Sequence, residues 1–192
     1  GSLNMLEKLM AAMFQSVTPR TAGFNTLATD KLTMSSLLMT IVLMFIGGCP
    51  ASTAGGIKTT TFGLILFNIG SVISGYEETV MFKRRVSQIY ISRALALMSL
   101  ALALVIIVTM ILSFNEREFE FMALMFETVS AFGTVGLSTG ITPLLNDGSK
   151  LVLAVTMFFG RLGPMTLVMA LARRQSMNRA LVRYPESKVN VG

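Results

Sequence analysis

One stretch of this chain, Ala94 to Leu112, is apolar without interruption over roughly the 20 residues that cross a hydrocarbon layer, and every other long apolar stretch is broken. Ser35 to Ile46 is followed by Gly47-Gly48-Cys49-Pro50-Ala51-Ser52-Thr53-Ala54-Gly55-Gly56-Ile57-Lys58, and apolar residues resume at Phe62. Leu151 to Gly160 gives way to Arg161-Leu162-Gly163-Pro164 before Met165 to Ala172. Neither half of either pair is long enough to cross alone, so each pair is expected to form one crossing with an irregular segment at membrane depth. Backbone of that kind survives only where protein surrounds it or where it lines a water-filled cavity. A cavity is therefore implied.

Composition points the same way. Apolar residues make up 53% of the chain and charged residues 14%, against roughly 25% charged in soluble domains, and the mean hydropathy is +0.68. The net charge of +6 does not mark a nucleic-acid surface, which gathers its basic residues on one soluble face. Here they lie between apolar stretches, as membrane topology requires. With one cysteine, Cys49, and no histidine, the chain has no disulfide framework and no metal site built on nitrogen and sulfur. Catalysis by Ser-His or Cys-His pairs is likewise excluded, and no enzyme is expected. Gly1-Ser2 reads as a cloning scar, and the abrupt entry into a helical pattern at Met5 reads as the start of a fragment.

Two shorter apolar segments, Met5 to Val17 and Phe119 to Ala131, have helical spacing but are too short to cross. Each is either an interfacial helix or a re-entrant pore helix, and an internal repeat favours the second. Ala12-Met13-Phe14-Gln15-Ser16-Val17 aligns with Leu124-Met125-Phe126-Glu127-Thr128-Val129. After one inserted residue, Thr21-Ala22-Gly23-Phe24-Asn25-Thr26 aligns with Thr134-Val135-Gly136-Leu137-Ser138-Thr139, and Met44 to Gly47 with Met157 to Gly160. The unit is a short helix, a T-x-G-x-x-T loop and a long broken helix. Repeats of this kind in membrane proteins place the transported species at their interface.

The fold class expected is an all-α integral membrane protein of pore-loop repeats. Residues 3–76 form a partial repeat, 77–93 a cytoplasmic basic connection, 94–174 a complete repeat and 175–192 a cytoplasmic tail. Lys83, Arg84, Arg85 and Arg93, with Arg173, Arg174, Arg179, Arg183 and Lys188, mark the cytoplasmic side. Glu116, Glu118, Glu120, Asp30 and Asp147 then lie outside with the two T-x-G-x-x-T loops, where their charge either attracts cations or is merely solvated.

A desolvated potassium ion needs a ring of oxygens in place of its water, and backbone carbonyls supply one. Aiming several consecutive carbonyls at one axis calls for unusual dihedrals that glycine tolerates, and Gly23 and Gly136 stand at matching places. A single such loop is equally a turn after a helix; two in register read as filter strands. Arg161 near mid-bilayer carries an insertion cost of at least about 2.5–3.5 kcal/mol, so it is expected to face the pore. The small residues Ala51 to Gly55 and the threonines at 59–61 suit either a kinked helix at a tight helix contact or a flexible loop across the pore. The matching position in the other repeat is Arg161, so loop and arginine are placed to meet.

The segment GGCPASTAGGIKTTTF (Gly47 to Phe62), with TAGFNT and TVGLST, resembles the Trk/Ktr/HKT superfamily of potassium transporters over essentially the whole chain after Ser2. The ending from Arg183 to Gly192 is similar to the Ktr branch and its membrane subunit. The resemblance implies four repeats around one pore, of which this chain holds the third pore loop onward. It implies filter ligands from Thr21, Ala22, Gly23, Phe24, Thr134, Val135, Gly136 and Leu137. It implies a gate built from Gly47, Gly48, Ala51, Ser52, Thr53, Ala54, Gly55, Gly56, Lys58 and Arg161. The tail ending at Gly192 resembles one at a dimer interface. No cofactor is expected in the chain, potassium is the transported ion held only at the filter, and sodium is a candidate activator. The partners implied are the N-terminal half of the subunit, a second copy, the lipid bilayer of the plasma membrane, and a cytosolic KtrA-like ring that carries the nucleotide. Two competing readings are a secondary transporter with broken helices, disfavoured because the breaks lack aromatic and acidic residues, and a non-conducting scaffold subunit, which would not need two T-x-G loops.

Overall fold

A computed structural model describes residues 4–50, 52–76, 78–81 and 84–162. The first helix, α1 (Met5–Val17), begins in a capping box in which the Asn4 side chain and Glu7 satisfy the free amides of the first turn. Its apolar side chains, Met5, Leu6, Leu9, Met10 and Met13 among them, are exposed on this chain. Helix α2 (Met34–Phe45) is capped by the Thr33 hydroxyl and stops at Ile46, whose ψ of 87° leaves the helical region. A twelve-residue excursion, 47–58, returns the chain to α3 (Thr59–Ile73). Gly75, at φ +76°, closes α3 as its left-handed cap: Gly75 N–H donates to Val72 and Tyr76 N–H to Ser71.

The basic connection departs from the all-α expectation. Val80–Met81 (β1) and Arg84–Arg85 (β2) pair antiparallel, with Val80 opposite Arg85. The hairpin is tied to α3 by Thr79, whose hydroxyl donates to the Asn68 side chain.

Helix α4 (Gln88–Asn115) has 28 residues, longer at both ends than the apolar core Ala94 to Leu112. At about 1.5 Å per residue it is long enough to cross a bilayer with turns to spare. It is apolar around its circumference, but Ala94, Ala101, Val105, Val108 and Leu112 form one buried stripe. Ile106, Ile107 and Met110 face outward.

Helix α5 (Phe121–Gly133) begins and ends two residues beyond the apolar pattern Phe119 to Ala131. It sits at the centre, packed on α2, α4 and α6 (Asp147–Leu162), and every residue from Phe126 to Gly133 is buried. Phe126, Val129 and Phe132 join Ile41, Met44, Ile57, Ala101 and Val105 in the main core. Helix α6 starts at the Asn146 side chain, which accepts from Ser149 N–H at 2.7 Å. It then runs unbroken through Arg161 and Leu162, so the expected interruption does not begin there; Gly163 and Pro164 lie outside the described residues.

The α5–α6 crossing is close because Gly160 has no side chain: a Cβ there would overlap the Phe132 carbonyl oxygen. Gly160→Ala is expected to destabilise the fold by about 1–3 kcal/mol, the scale of overpacking. Gly63→Ala, on an open stretch of α3, is expected to be neutral or stabilising by up to about 1 kcal/mol. Thermal unfolding in detergent separates the two, and equal midpoints would contradict the close crossing.

Candidate functional site

The two T-x-G loops share a backbone pattern. Thr21 and Gly23 have φ of 62° and 71°, and Thr134 and Gly136 have 52° and 87°. Left-handed residues thus alternate with the intervening Ala22 and Val135, which are not left-handed. The threonines are non-glycine residues held in a conformation that costs about 1–2 kcal/mol, so the surrounding structure must enforce it.

Hydrogen bonds show how. Ala22 and Gly23 N–H both donate to the Thr18 carbonyl at 3.2 Å, and Val135 N–H donates to the Ser130 carbonyl at 2.9 Å. These amides are thereby spent on the end of each short helix. The Thr18 hydroxyl donates to the Phe24 carbonyl at 2.7 Å, and the Ser130 hydroxyl to the Leu137 carbonyl at 2.6 Å. These are the same bond in the two repeats, running from just beyond the aligned Val17 and Val129 to the residue after each glycine. Between these anchors, the carbonyls of Thr21, Ala22, Gly23, Thr134, Val135 and Gly136 accept no hydrogen bond among the described residues. Six free carbonyls in two matched strands are an arrangement suited to a cation.

The strands also approach one another. A Cβ on Gly23 would overlap the Val135 carbonyl oxygen, whereas one on Gly136 would meet nothing within 4 Å. Val135 and Leu137 anchor the second strand by burying their side chains in the core, leaving Gly136 exposed between them. Phe24, by contrast, is exposed.

The segment between α2 and α3 is a loop pinched at its base. Gly47 N–H donates to the Ile57 carbonyl at 2.8 Å and Thr59 N–H to Gly48 at 3.2 Å. Gly47, Gly55, Gly56 and Ile57 are buried, while Cys49, Ser52 and Thr53 are exposed at the tip. Its carbonyls are held by two cations: Lys58 Nζ donates to Ala54 at 2.6 Å and Ser52 at 3.2 Å, and Arg161 Nη1 donates to Thr53 at 2.6 Å. On the other side Gly55 N–H donates to the Thr134 hydroxyl at 3.1 Å. The loop therefore bridges the base of the second T-x-G strand and the end of α6, and loop and arginine do meet. Ala51 and Gly192 lie outside the described residues.

Two features escaped the sequence reading. The hydroxyls of Thr18 and Ser130 lie one position past the aligned blocks, where continuing the alignment would have paired them. Glu127 was aligned with Gln15 but given no role, although it is buried and accepts four hydrogen bonds. Glu116, read as a mouth charge, also accepts from Asn146 N–H at 2.8 Å and so ties the end of α4 to the start of α6. No cluster of carboxylate or cysteine groups able to hold a metal occurs among the described residues.

The architecture is that of an α-helical membrane protein with two irregular segments gathered around one central short helix. The chain belongs to the TrkH family of cation transport proteins, whose family model matches residues 1–180, a family of transporters and not of enzymes. It is 43% identical over 192 residues to the Ktr system potassium uptake protein B of Bacillus subtilis (strain 168), covering all of this chain and 42% of that protein. It is 39% identical over 192 residues to the protein of the same name from Vibrio alginolyticus, covering 41% of it. It is also 39% identical over 191 residues to the potassium/sodium uptake protein NtpJ of Enterococcus hirae, covering 42% of it. The chain thus spans about two-fifths of the length of these relatives. The crystal structure of the potassium transporter TrkH from Vibrio parahaemolyticus superposes with a TM-score of 0.67 at 22% identity, over 83% of this chain and 36% of that one. That likeness establishes the shared fold.

The two glycines predict different costs. Gly136→Ala should lose about 1–2 kcal/mol from the left-handed backbone alone. Gly23→Ala adds the collision with Val135 and should lower the thermal midpoint further. A smaller shift for Gly23→Ala than for Gly136→Ala would contradict the approach of the two strands.

Proposed function

We propose that this chain is part of the membrane subunit of a potassium-uptake system and supplies two of the strands that line its filter. The observation that carries the reading is the pair of T-x-G strands with matching handedness, their amides bonded to helix ends and their carbonyls free. Each strand follows the C-terminus of a short helix, α1 or α5, and the partial negative charge of that end favours a cation nearby. Dehydrated potassium exchanges its water for the carbonyls of Thr21 to Phe24 and Thr134 to Leu137. The names of the relatives, potassium uptake proteins of the Ktr system and a potassium/sodium uptake protein, support potassium as the ion and sodium as a candidate activator.

Two strands do not close a ring, so on this reading further repeats complete the pore; the chain spans about two-fifths of its relatives' length, which leaves room for them. A second copy and a cytosolic KtrA-like ring carrying the nucleotide are the remaining partners of this reading, in the plasma membrane. The loop 47–58 is the gate. It lies against the base of the second strand through Thr134 and is tethered by Arg161 and Lys58. Two cations beside a path for cations are a barrier: at 4 Å, like charges repel by about 1 kcal/mol in water and several-fold more at reduced dielectric.

In the complete protein, Arg161→Ala is expected to raise potassium flux in proteoliposomes by about fivefold or more, the equivalent of that repulsion. Arg161→Lys should keep the low rate, and deletion of 51–55 should raise flux as well. A thermal midpoint lowered by Arg161→Ala with flux unchanged would make the arginine an anchor of the loop and not a barrier.

A further inference from the structure

We propose that Glu127 is the positioning residue of the second filter strand, and that its shape and reach, more than its charge, set how that strand discriminates potassium from sodium. This rests on the reading of Thr134 to Leu137 as filter. Glu127 lies on α5 with 5% of its surface exposed, behind the strand. Its Oε1 accepts from the Ser138 hydroxyl at 2.7 Å, the Thr139 N–H at 2.8 Å and the Thr139 hydroxyl at 3.0 Å. Its Oε2 accepts from the Thr142 hydroxyl at 2.6 Å. Gly140 N–H donates to the Ser138 oxygen at 2.9 Å, and the Ser138 and Thr142 hydroxyls lie 3.0 Å apart; since a carboxylate only accepts, each hydroxyl donates in its bond to Glu127.

The segment just beyond Leu137 is thus drawn onto one side chain that belongs to the helix preceding the filter. With Ser130 holding the Leu137 carbonyl, the strand is clamped at its outer end by two residues three apart on one helix, hence on the same face. Any displacement of the carboxylate moves the residues that follow the Gly136 and Leu137 carbonyls. Glu127 also borders a cavity of about 450 Å³ shared with Gly136, Leu137 and Ser138. That space lets the strand shift if the brace is removed. Lys150 lines the same cavity, and its ammonium lies 3.9 Å from Asp147.

The choice of shape over charge comes from the repeat. The aligned residue in the first repeat is Gln15, an amide of the same length whose side-chain nitrogen and oxygen are buried without a hydrogen-bond partner among the described residues, so the position accommodates a neutral side chain of this reach although Gln15 itself does not brace the first strand. An amide oxygen has two lone pairs for the donors now on Oε1, and its NH₂ can donate to a rotated Thr142 hydroxyl. Aspartate keeps the charge but withdraws it by about 1.5 Å, one carbon–carbon bond.

The test is potassium against sodium flux of the complete protein in proteoliposomes, read on assembled material recovered by gel filtration. Glu127→Gln should keep its discrimination within about twofold, while Glu127→Asp and Glu127→Ala should lose about tenfold or more, the scale on which groups that orient a cation's ligands act. A loss with Glu127→Gln while Glu127→Asp keeps wild-type discrimination would overturn the proposal in favour of charge. If all three Glu127 variants discriminate normally while Gly136→Ser does not, the filter stands and the role of Glu127 is refuted. If Gly136→Ser discriminates normally too, the filter reading itself fails.

Discussion

A backbone carbonyl at membrane depth needs a donor from within the protein, or water or a cation in a cavity that it lines. The two kinds of irregular segment in this chain meet that requirement in opposite ways. In the loop 47–58 the carbonyls of Ser52, Thr53 and Ala54 are met by Lys58 and Arg161, cationic side chains that carry their own charge into the site. In the T-x-G strands the loop amides turn back to the helix ends, and the carbonyls between the two anchoring hydroxyls are left without donors among the described residues. One segment is closed by the protein's own cations. The other keeps its carbonyls free among the described residues.

The rest of the fold serves that contrast. Helix α5 is short and almost wholly buried because it is surrounded by α2, α4 and α6, so its C-terminal end and the strand that follows are fixed from three sides. The crossings that hold it are made close by missing side chains. Gly160 lies against the Phe132 carbonyl, and Gly133 against the carbonyl of Met44, the last buried residue of α2 before the loop. The floor of the second strand and the base of the loop are therefore one packed unit, with Phe45 and Phe132 rings 5.9 Å apart between them. The Gly55–Thr134 hydrogen bond joins the two functional segments across that unit, which gives loop movement a direct mechanical route to the strand. Arg161 reaches the loop from the far side. The loop is thus held between the strand and α6.

Much of this is legible in the sequence. Period and length placed α1 at its observed bounds and found the core of α4, because an apolar helix carries its signal in local order. The paired T-x-G spacing located both strands, since left-handed backbone demands glycine wherever a chain must take it cheaply. The interruption expected from Arg161 does not begin there. Arg161 and Leu162 continue α6, and the guanidinium of Arg161 reaches the Thr53 carbonyl, 108 positions away in the chain. The short hairpin at Val80–Arg85 was also missed, since two residues per strand give no periodicity to read.

The sequence by itself determined the class of this protein: the one long apolar helix, the repeat, the two left-handed glycines and the small-residue loop all follow from residue order and spacing. Only the tertiary structure decided what each strand leans on. That Thr134 meets Gly55, that Arg161 meets Thr53, and that Ser130 and Glu127 brace the segment after Gly136 are contacts between residues distant in sequence or in different elements. A hydroxyl or carboxylate has the same local signature whether it faces water, a helix carbonyl or a filter strand. Its partner is chosen by how the helices pack, and that packing is a property of the whole chain.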